Sequence, residues 1–184
     1  MRITGGSARG QLLKTMPGLL VRPTTDRVRE AVFSMLASLG TNMDTCLDLF
    51  AGTGALGIEA LSRDASWVDF VDQNSRSCAT IKNNLQSSGF KDKARVYCSP
   101  VFKALKLLTN CYDVVFADPP YADTSLGMVL SELAKSTLLS DGSVIVVSHS
   151  SRSPLSANYG SLSSIKEKRY GDSSISIFQK EATP

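Results

Sequence analysis

The stretch Leu47-Asp48-Leu49-Phe50-Ala51-Gly52-Thr53-Gly54-Ala55-Leu56-Gly57-Ile58-Glu59-Ala60-Leu61 decides the fold. A short apolar strand runs into a glycine-rich turn and straight on into a helix, the arrangement that lets a backbone approach a nucleotide-like ligand closely. Gly52, Gly54 and Gly57 satisfy G-x-G-x-x-G, a pattern that suits a dinucleotide, another adenosine cofactor or no ligand at all. It marks a pocket and leaves the reaction open.

Outward from this stretch, apolar runs alternate with helical periodicity. Strands are predicted at 46–50, 67–71, 95–98, 112–117 and 143–147, and helices at 55–62, 75–87, 101–108 and 125–135. Such alternation argues for an α/β fold, a mostly parallel Rossmann-like sheet covered on both faces. The end of the chain departs from the rhythm. Segments 162–170 and 174–179 are separated by Gly171-Asp172, too tight for a crossover, so an antiparallel hairpin at the sheet edge is expected. Residues 148–164 contain eight serines with Pro154 and Gly160 and read as a surface loop.

Before the opening stretch, Gly5-Gly6, Arg9-Gly10 and Pro17-Gly18 punctuate short apolar segments, which indicates a β-hairpin within residues 2–22. Thr24-Thr25-Asp26 then offers helix caps, and Val28, Ala31, Val32, Met35, Leu36 and Leu39 recur at the helical period up to Gly40. The expected organisation is a basic N-terminal extension, residues 1–40, on a ligand-binding domain, residues 41–184, in one compact unit.

Composition narrows the class. The chain has 184 residues, 42% of them hydrophobic and 20% charged, enough for one domain with a sizeable core. No apolar run approaches the ~20 residues that cross a bilayer, and the N-terminus lacks the apolar stretch of a signal peptide, so a cytoplasmic location is expected. Cys46, Cys78, Cys98 and Cys111 stand apart among apolar neighbours without C-x-x-C spacing. They read as reduced core residues, and neither a disulfide framework nor a metal site is indicated. The net charge of +3 is uneven: residues 1–29 carry +5, which leaves −2 for the remainder. A basic arm on a near-neutral body suits a phosphate backbone, although a solvated tail has the same composition.

In open α/β sheets the ligand lies beyond the carboxyl ends of the strands. Three of those ends carry aspartate: Asp48, Asp72 and Asp118. Asp72 follows Asp48 by 24 residues, close to the spacing at which an acid holds adenosine ribose hydroxyls. An acid at Asp48, just ahead of the glycine turn, opposes a diphosphate but suits a cofactor bearing an ammonium and a sulfonium. S-adenosyl-L-methionine therefore fits better than NAD. Asp118-Pro119-Pro120-Tyr121 is more specific still. The prolines have no N–H, so main chain and carboxylate together offer only acceptors, complementary to an NH₂ group. With its hydrogens taken by Asp118 and the Pro119 carbonyl, a nucleobase amine would turn its lone pair toward an electrophilic methyl, while Tyr121 stacked on the base.

Asp118-Pro119-Pro120-Tyr121 and Asp48-x-Phe50-x-Gly52-x-Gly54 resemble the motifs of class I S-adenosylmethionine-dependent amino-methyltransferases. More narrowly, Arg2-Ile3-x-Gly5-Gly6-x-x-Arg9-Gly10, residues 22–31 and residues 47–61 resemble the bacterial family that N2-methylates one guanine of 16S ribosomal RNA. The resemblance spans nearly the whole chain. It implies a seven-stranded methyltransferase sheet, S-adenosyl-L-homocysteine as product, no metal, a monomer, and a substrate presented by the small ribosomal subunit. Carried over by position, it assigns Asp48, Phe50, Gly52, Gly54, Asp72, Ser99 and Val101 to the cofactor, and Asp118, Pro119, Pro120 and Tyr121 to the base. Arg2, Arg9, Arg22, Thr24, Arg27 and Arg29 fall to the RNA, with a local Arg29–Glu30 pair as the alternative for that arginine.

Two positions depart from the family pattern. Pro100 stands where an Asp or Asn would accept from the adenine amine, so Ser99 or a main-chain carbonyl has to substitute. The fifth strand ends in Ser148-His149 where the family often has Glu, and His149 is a conceivable base. Lys166, Lys168 and Arg169 would extend the RNA footprint or simply charge an edge strand. Remaining alternatives are an N6-adenine or other amino-methyltransferase, an NAD-dependent oxidoreductase, and a non-catalytic RNA-binding module.

Overall fold

The computed structural model describes residues 1–15, 25–120 and 123–182. Its elements run α1 (Asp26–Ser38), β1 (Thr45–Leu49), α2 (Ala55–Ser62), β2 (Trp67–Asp72), α3 (Ser75–Ser88), β3 (Ala94–Cys98), α4 (Val101–Ala104), β4 (Tyr112–Ala117), α5 (Leu126–Lys135), β5 (Leu139–Ser150), β6 (Asn158–Tyr159), β7 (Leu162–Tyr170) and β8 (Ser173–Lys180). They form one sheet in the order β3-β2-β1-β4-β5-β8-β7-β6. The first five strands are parallel and β8, β7 and β6 antiparallel, the Rossmann-like arrangement of class I methyltransferases. Strand order reverses beside β1, between β2 and β4, which fixes where a ligand crevice opens.

Alternate residues of each strand feed two cores. Cys46, Phe70, Val114, Phe116 and Val146 meet α1, α2 and α3 on one face. Leu47, Leu49, Val115, Ile145 and Phe178 meet α4 and α5 on the other. Helix α2 and the sheet approach closely at Gly57, where a Cβ would stand 2.3 Å from Phe70 Cε1. Every residue of α2 is buried, so this helix presses flat on the sheet and its N-terminus stays fixed beside β1.

The N-terminal arm is a tight hairpin. Ile3 N–H donates to the Gln11 carbonyl (2.9 Å), and Gly10 and Leu13 N–H donate to the Ile3 and Met1 carbonyls (2.8 and 3.0 Å). It docks on the end of α2. Thr4 donates through N and Oγ1 to Glu59 (2.8 and 2.7 Å), Ser7 N–H donates to the Ser62 carbonyl (2.7 Å), and Ala8 N–H donates to Ser62 Oγ (2.9 Å). Gly6, at φ +74°, comes so near that a Cβ would lie 1.6 Å from the Ser62 carbonyl oxygen. No side chain fits there.

Several local expectations give way. The helix expected over 101–108 is one turn, after which the Leu107 N–H bonds to the Ala104 carbonyl and the tightening chain delivers Leu108 into the core. Strand β5 is longer than 143–147, because it gains a parallel pair at Leu139 with Tyr112 and antiparallel pairs out to Ser150 with Ser173. That pairing shortens the serine-rich loop, whose remainder also contributes the two-residue strand β6, so eight strands replace the expected seven. Cys46 and Cys78 are buried, whereas Cys98 and Cys111 are exposed, the first at the end of the edge strand β3 and the second just before β4. Among the described residues no helix is long and apolar enough to cross a membrane.

Candidate active site

A cavity of about 540 Å³ opens at the carboxyl ends of β1, β2 and β4. Asp48, Asp72 and Asp118 all reach its wall, so residues separated by up to 70 positions share one space. The volume lies within the range of small-molecule sites.

Asp48 is held by the helix that follows it. The Gly57 N–H, in the first turn of α2, donates to Asp48 Oδ2 (2.9 Å). The carboxyl group is 1% exposed, and this burial pushes its pKa well above the usual carboxylate value; the Gly57 N–H works the other way, and Asp118 and Asp72 add to the rise. Asp72 accepts N–H bonds from Gly52 (2.8 Å) and Asn74 (2.8 Å), so it braces the glycine turn while still facing the cavity. A carboxylate has about four acceptor positions, which leaves capacity for ribose hydroxyls. Between these acids Phe50 takes φ +57°, a left-handed conformation that costs a non-glycine residue of order 1–3 kcal/mol. This strained residue also lies on the wall.

Phe50, Gly52 and Val101 line the cavity, as do Asp118 and Pro120, whereas Gly54 supports the turn from behind as the left-handed N-cap of α2. Ser99 is off the wall: its N–H donates to the Asp72 carbonyl (3.0 Å) and its hydroxyl to the Pro100 carbonyl (3.4 Å), and Pro100 takes the lining position. Pro119 is buried behind Asp118. Tyr121, Arg22 and Thr24 lie outside the described residues.

The residues expected at the RNA separate into two groups. Arg2, Arg9 and Arg27 are exposed, but Arg29 is fully buried. Its guanidinium donates to Asp26 Oδ1 (3.0 Å) and to the Arg2 carbonyl, and its Nε lies 3.8 Å from Glu59 Oε2. Arg29 therefore ties α1 to α2 and to the arm, and its acids are Asp26 and Glu59, not Glu30. His149 sits inside β5, 5% exposed. Nδ1 faces the Ser150 and Ser153 carbonyls (3.1 and 3.2 Å), and Nε2 shares a hydrogen bond with Ser176 Oγ (2.9 Å). It is a satisfied strand residue away from the cavity.

Other lining residues carried weaker sequence signals. Gln73, Asn74 and Ser77 follow Asp72 directly and could be found by continuing past the strand end. Asp123 and Ser125 follow the Asp-Pro-Pro segment, with the Asp123 N–H donating to the Pro120 carbonyl (2.8 Å). Met1 and Thr15 had no signal, since only docking of the arm brings them to the wall.

The donor set suits a cationic adenosine cofactor better than a diphosphate, because two aspartates flank the glycine turn and one of them, Asp48, is buried where a charge calls for a cation. Among the described residues no group of His, Cys, Asp and Glu could hold a metal ion.

Known proteins place this chain in a family. The model of the family described as Conserved hypothetical protein 95 matches residues 1–179. The chain is 35% identical over 185 residues to the "Putative rRNA methyltransferase YlbH" of Bacillus subtilis, covering 98% of this chain and 99% of that protein. It is 34% identical to the "Ribosomal RNA small subunit methyltransferase D" of Escherichia coli K12, covering 99% and 91%. The solved structure of "Putative methyltransferase yhhF" from Escherichia coli superposes with a TM-score of 0.87 at 34% identity, covering 100% of this chain and 99% of that one. The chain thus belongs to the Conserved hypothetical protein 95 family and has the fold of S-adenosylmethionine-dependent methyltransferases.

Proposed function

We propose that this protein transfers the methyl group of S-adenosyl-L-methionine to the exocyclic N2 of a guanine in 16S rRNA, within the small ribosomal subunit or an assembly intermediate, and acts as a monomer. The observation that carries this reading is the convergence of Asp48, Asp72 and the Asp118-Pro119-Pro120 turn on one cavity. Relatives named as ribosomal RNA small subunit methyltransferases support the choice of substrate.

When bound, the cofactor supplies an electrophilic methyl group. Asp48 offers its carboxylate to the cofactor's ammonium, and Asp72 accepts from the ribose hydroxyls while holding the Gly52 N–H in place. Pro100 and Val101 line the cavity and would flank the adenine. Asp118 accepts one hydrogen of the guanine amine and the Pro119 carbonyl the other, which orients the nitrogen lone pair for an in-line approach. Tyr121 stacks on the base, and bound water takes the proton released after transfer. Arg2, Arg9 and Arg27, which are exposed, bind phosphates of the RNA backbone.

The test is nucleoside mass spectrometry. Purified protein and isotopically labelled S-adenosyl-L-methionine are incubated with small subunits from cells lacking the gene. Label is expected in N2-methylguanosine of 16S rRNA. Label in N6-methyladenosine would instead establish the related adenine chemistry, for which the same amine-accepting turn is suited. Absence of cofactor binding in a calorimeter would end the methyltransferase reading altogether.

A further inference from the structure

Asn84 on α3 has no solvent exposure, yet its side chain serves two separate segments. Oδ1 accepts the Lys14 N–H (2.8 Å), and Nδ2 donates to the Lys14 carbonyl (3.2 Å) and to the Thr53 carbonyl (2.9 Å). Lys14 belongs to the outgoing limb of the arm. Thr53 is the middle residue of the glycine turn and faces the cavity. The two segments also meet directly, with Thr53 Oγ1 3.8 Å from Met1 Sδ, and the arm adds Met1 and Thr15 to the same cavity wall. A buried amide with its partners in place resists any shift that would leave one of them unpaired. The conformation of the glycine turn and that of the arm limb are thereby joined by hydrogen bonds through the Asn84 side chain, beside the direct Met1–Thr53 contact.

The arm has a second anchor at Glu59 and Ser62, and neither of those residues lines the cavity. That anchor holds the hairpin to the body, so loss of Asn84 leaves the arm attached and removes the hydrogen-bonded link between Lys14 and the Thr53 turn.

We propose that Asn84 is a positioning residue that couples cofactor occupancy to the arm. A cofactor seated against the glycine turn fixes Thr53, and Asn84 passes that constraint to Lys14 and the limb it leads. The cofactor-bound form is then the one that presents the arm, with its exposed Arg2 and Arg9, to RNA. Coupling of this kind is reciprocal, so RNA must tighten cofactor binding by the factor by which cofactor tightens RNA binding. The RNA half of the proposal rests on the function proposed above; ordering of the arm does not.

The test uses the full chain and the unreactive product S-adenosyl-L-homocysteine. Amide hydrogen exchange at Leu13 and Lys14, followed by NMR, is expected to slow about tenfold in the wild type when the product binds, within the usual size of coupling between sites. In Asn84→Ala the product still binds but the slowing disappears. Asn84→Leu, close to Asn in size, fills the space but makes none of the three bonds, so the arm stays packed and attached through Glu59 and Ser62 while its response to the product is lost. Likewise, affinity for unmethylated small subunits rises with product in the wild type, and that ratio falls to about one in both variants. An arm indifferent to product in the wild type, or an unaltered response in Asn84→Ala, overturns the proposal. A wild-type arm that responds to product while the protein fails to bind subunits overturns the RNA substrate and leaves the coupling standing.

Discussion

At the scale of single residues, the proposed chemistry rests on carboxylates whose surroundings differ. Asp48 is buried and Asp72 is tied to two main-chain N–H groups, although both lie at the ends of adjacent strands of one sheet. Because the folded state raises the Asp48 pKa, it binds that proton more tightly than the unfolded chain does. The ligand-free protein should therefore lose stability as pH rises from the ordinary carboxylate range through the raised value, and Asp48→Asn should remove that part of the slope. A cationic cofactor favours the ionised form, so binding should release a proton and tighten with increasing pH. Calorimetry in buffers of different ionisation enthalpy measures this directly, and enthalpies that do not change with buffer would contradict the assignment of Asp48 to the ammonium. Asp118→Ala should lower the rate of methyl transfer by at least about 100-fold, a typical loss for a group acting on the reacting atom, with S-adenosyl-L-methionine affinity changed less than about threefold. Equal loss of both would make Asp118 a structural residue.

At the scale of elements, α2 illustrates how packing sets a site. Its first turn presents the Gly57 N–H to Asp48, and it can sit that low only because position 57 has no side chain. Gly57→Ala should cost about 1–3 kcal/mol by overpacking against Phe70, seen as a lower denaturant midpoint at unchanged m-value. Cofactor affinity should fall with it, since the same shift lifts the Gly57 N–H from Asp48. Elements were legible where periodicity was strong: α1, α2, α3, α5 and β1 to β4 lie within two residues of their sequence-based limits. The fifth strand was not, because Ser148, His149 and Ser150 fell in a serine-rich segment that reads as a surface loop, whereas they pair with β8 and Ser148 and His149 are buried there, the His149 ring against Ser176 Oγ.

At the scale of the whole molecule, the uneven charge acquires a shape. Arg2, Arg9 and Arg27 remain on the surface, while Arg29 is withdrawn into the junction of arm, α1 and α2. Their replacement should accordingly have opposite consequences. Arg2→Glu with Arg9→Glu should weaken binding to small subunits and reduce the slope of log affinity against log salt by about 0.7–0.9 for each phosphate no longer neutralised, with folding unaffected. An unchanged slope would identify the arm as a solvated appendage. Arg29→Ala should destabilise the fold by about 3–5 kcal/mol, because it removes the fully buried cation beside Glu59 and leaves the partly exposed Arg63 as that acid's remaining positive partner, and thermal unfolding measures that loss.

The sequence by itself determined the order of strands and helices, the glycine turn and the three acids that end strands, since each follows from local periodicity or from a residue type with few other uses. It also determined that the arm is basic. Tertiary structure decided which arginine is a surface group, that His149 is a strand residue, that Pro100 rather than Ser99 lines the cavity, and that Met1, Thr15 and Asn84 join the arm to the site. Those outcomes depend on contacts between segments tens of residues apart, where burial and hydrogen-bond partners are set by docking and leave no periodic trace in the chain.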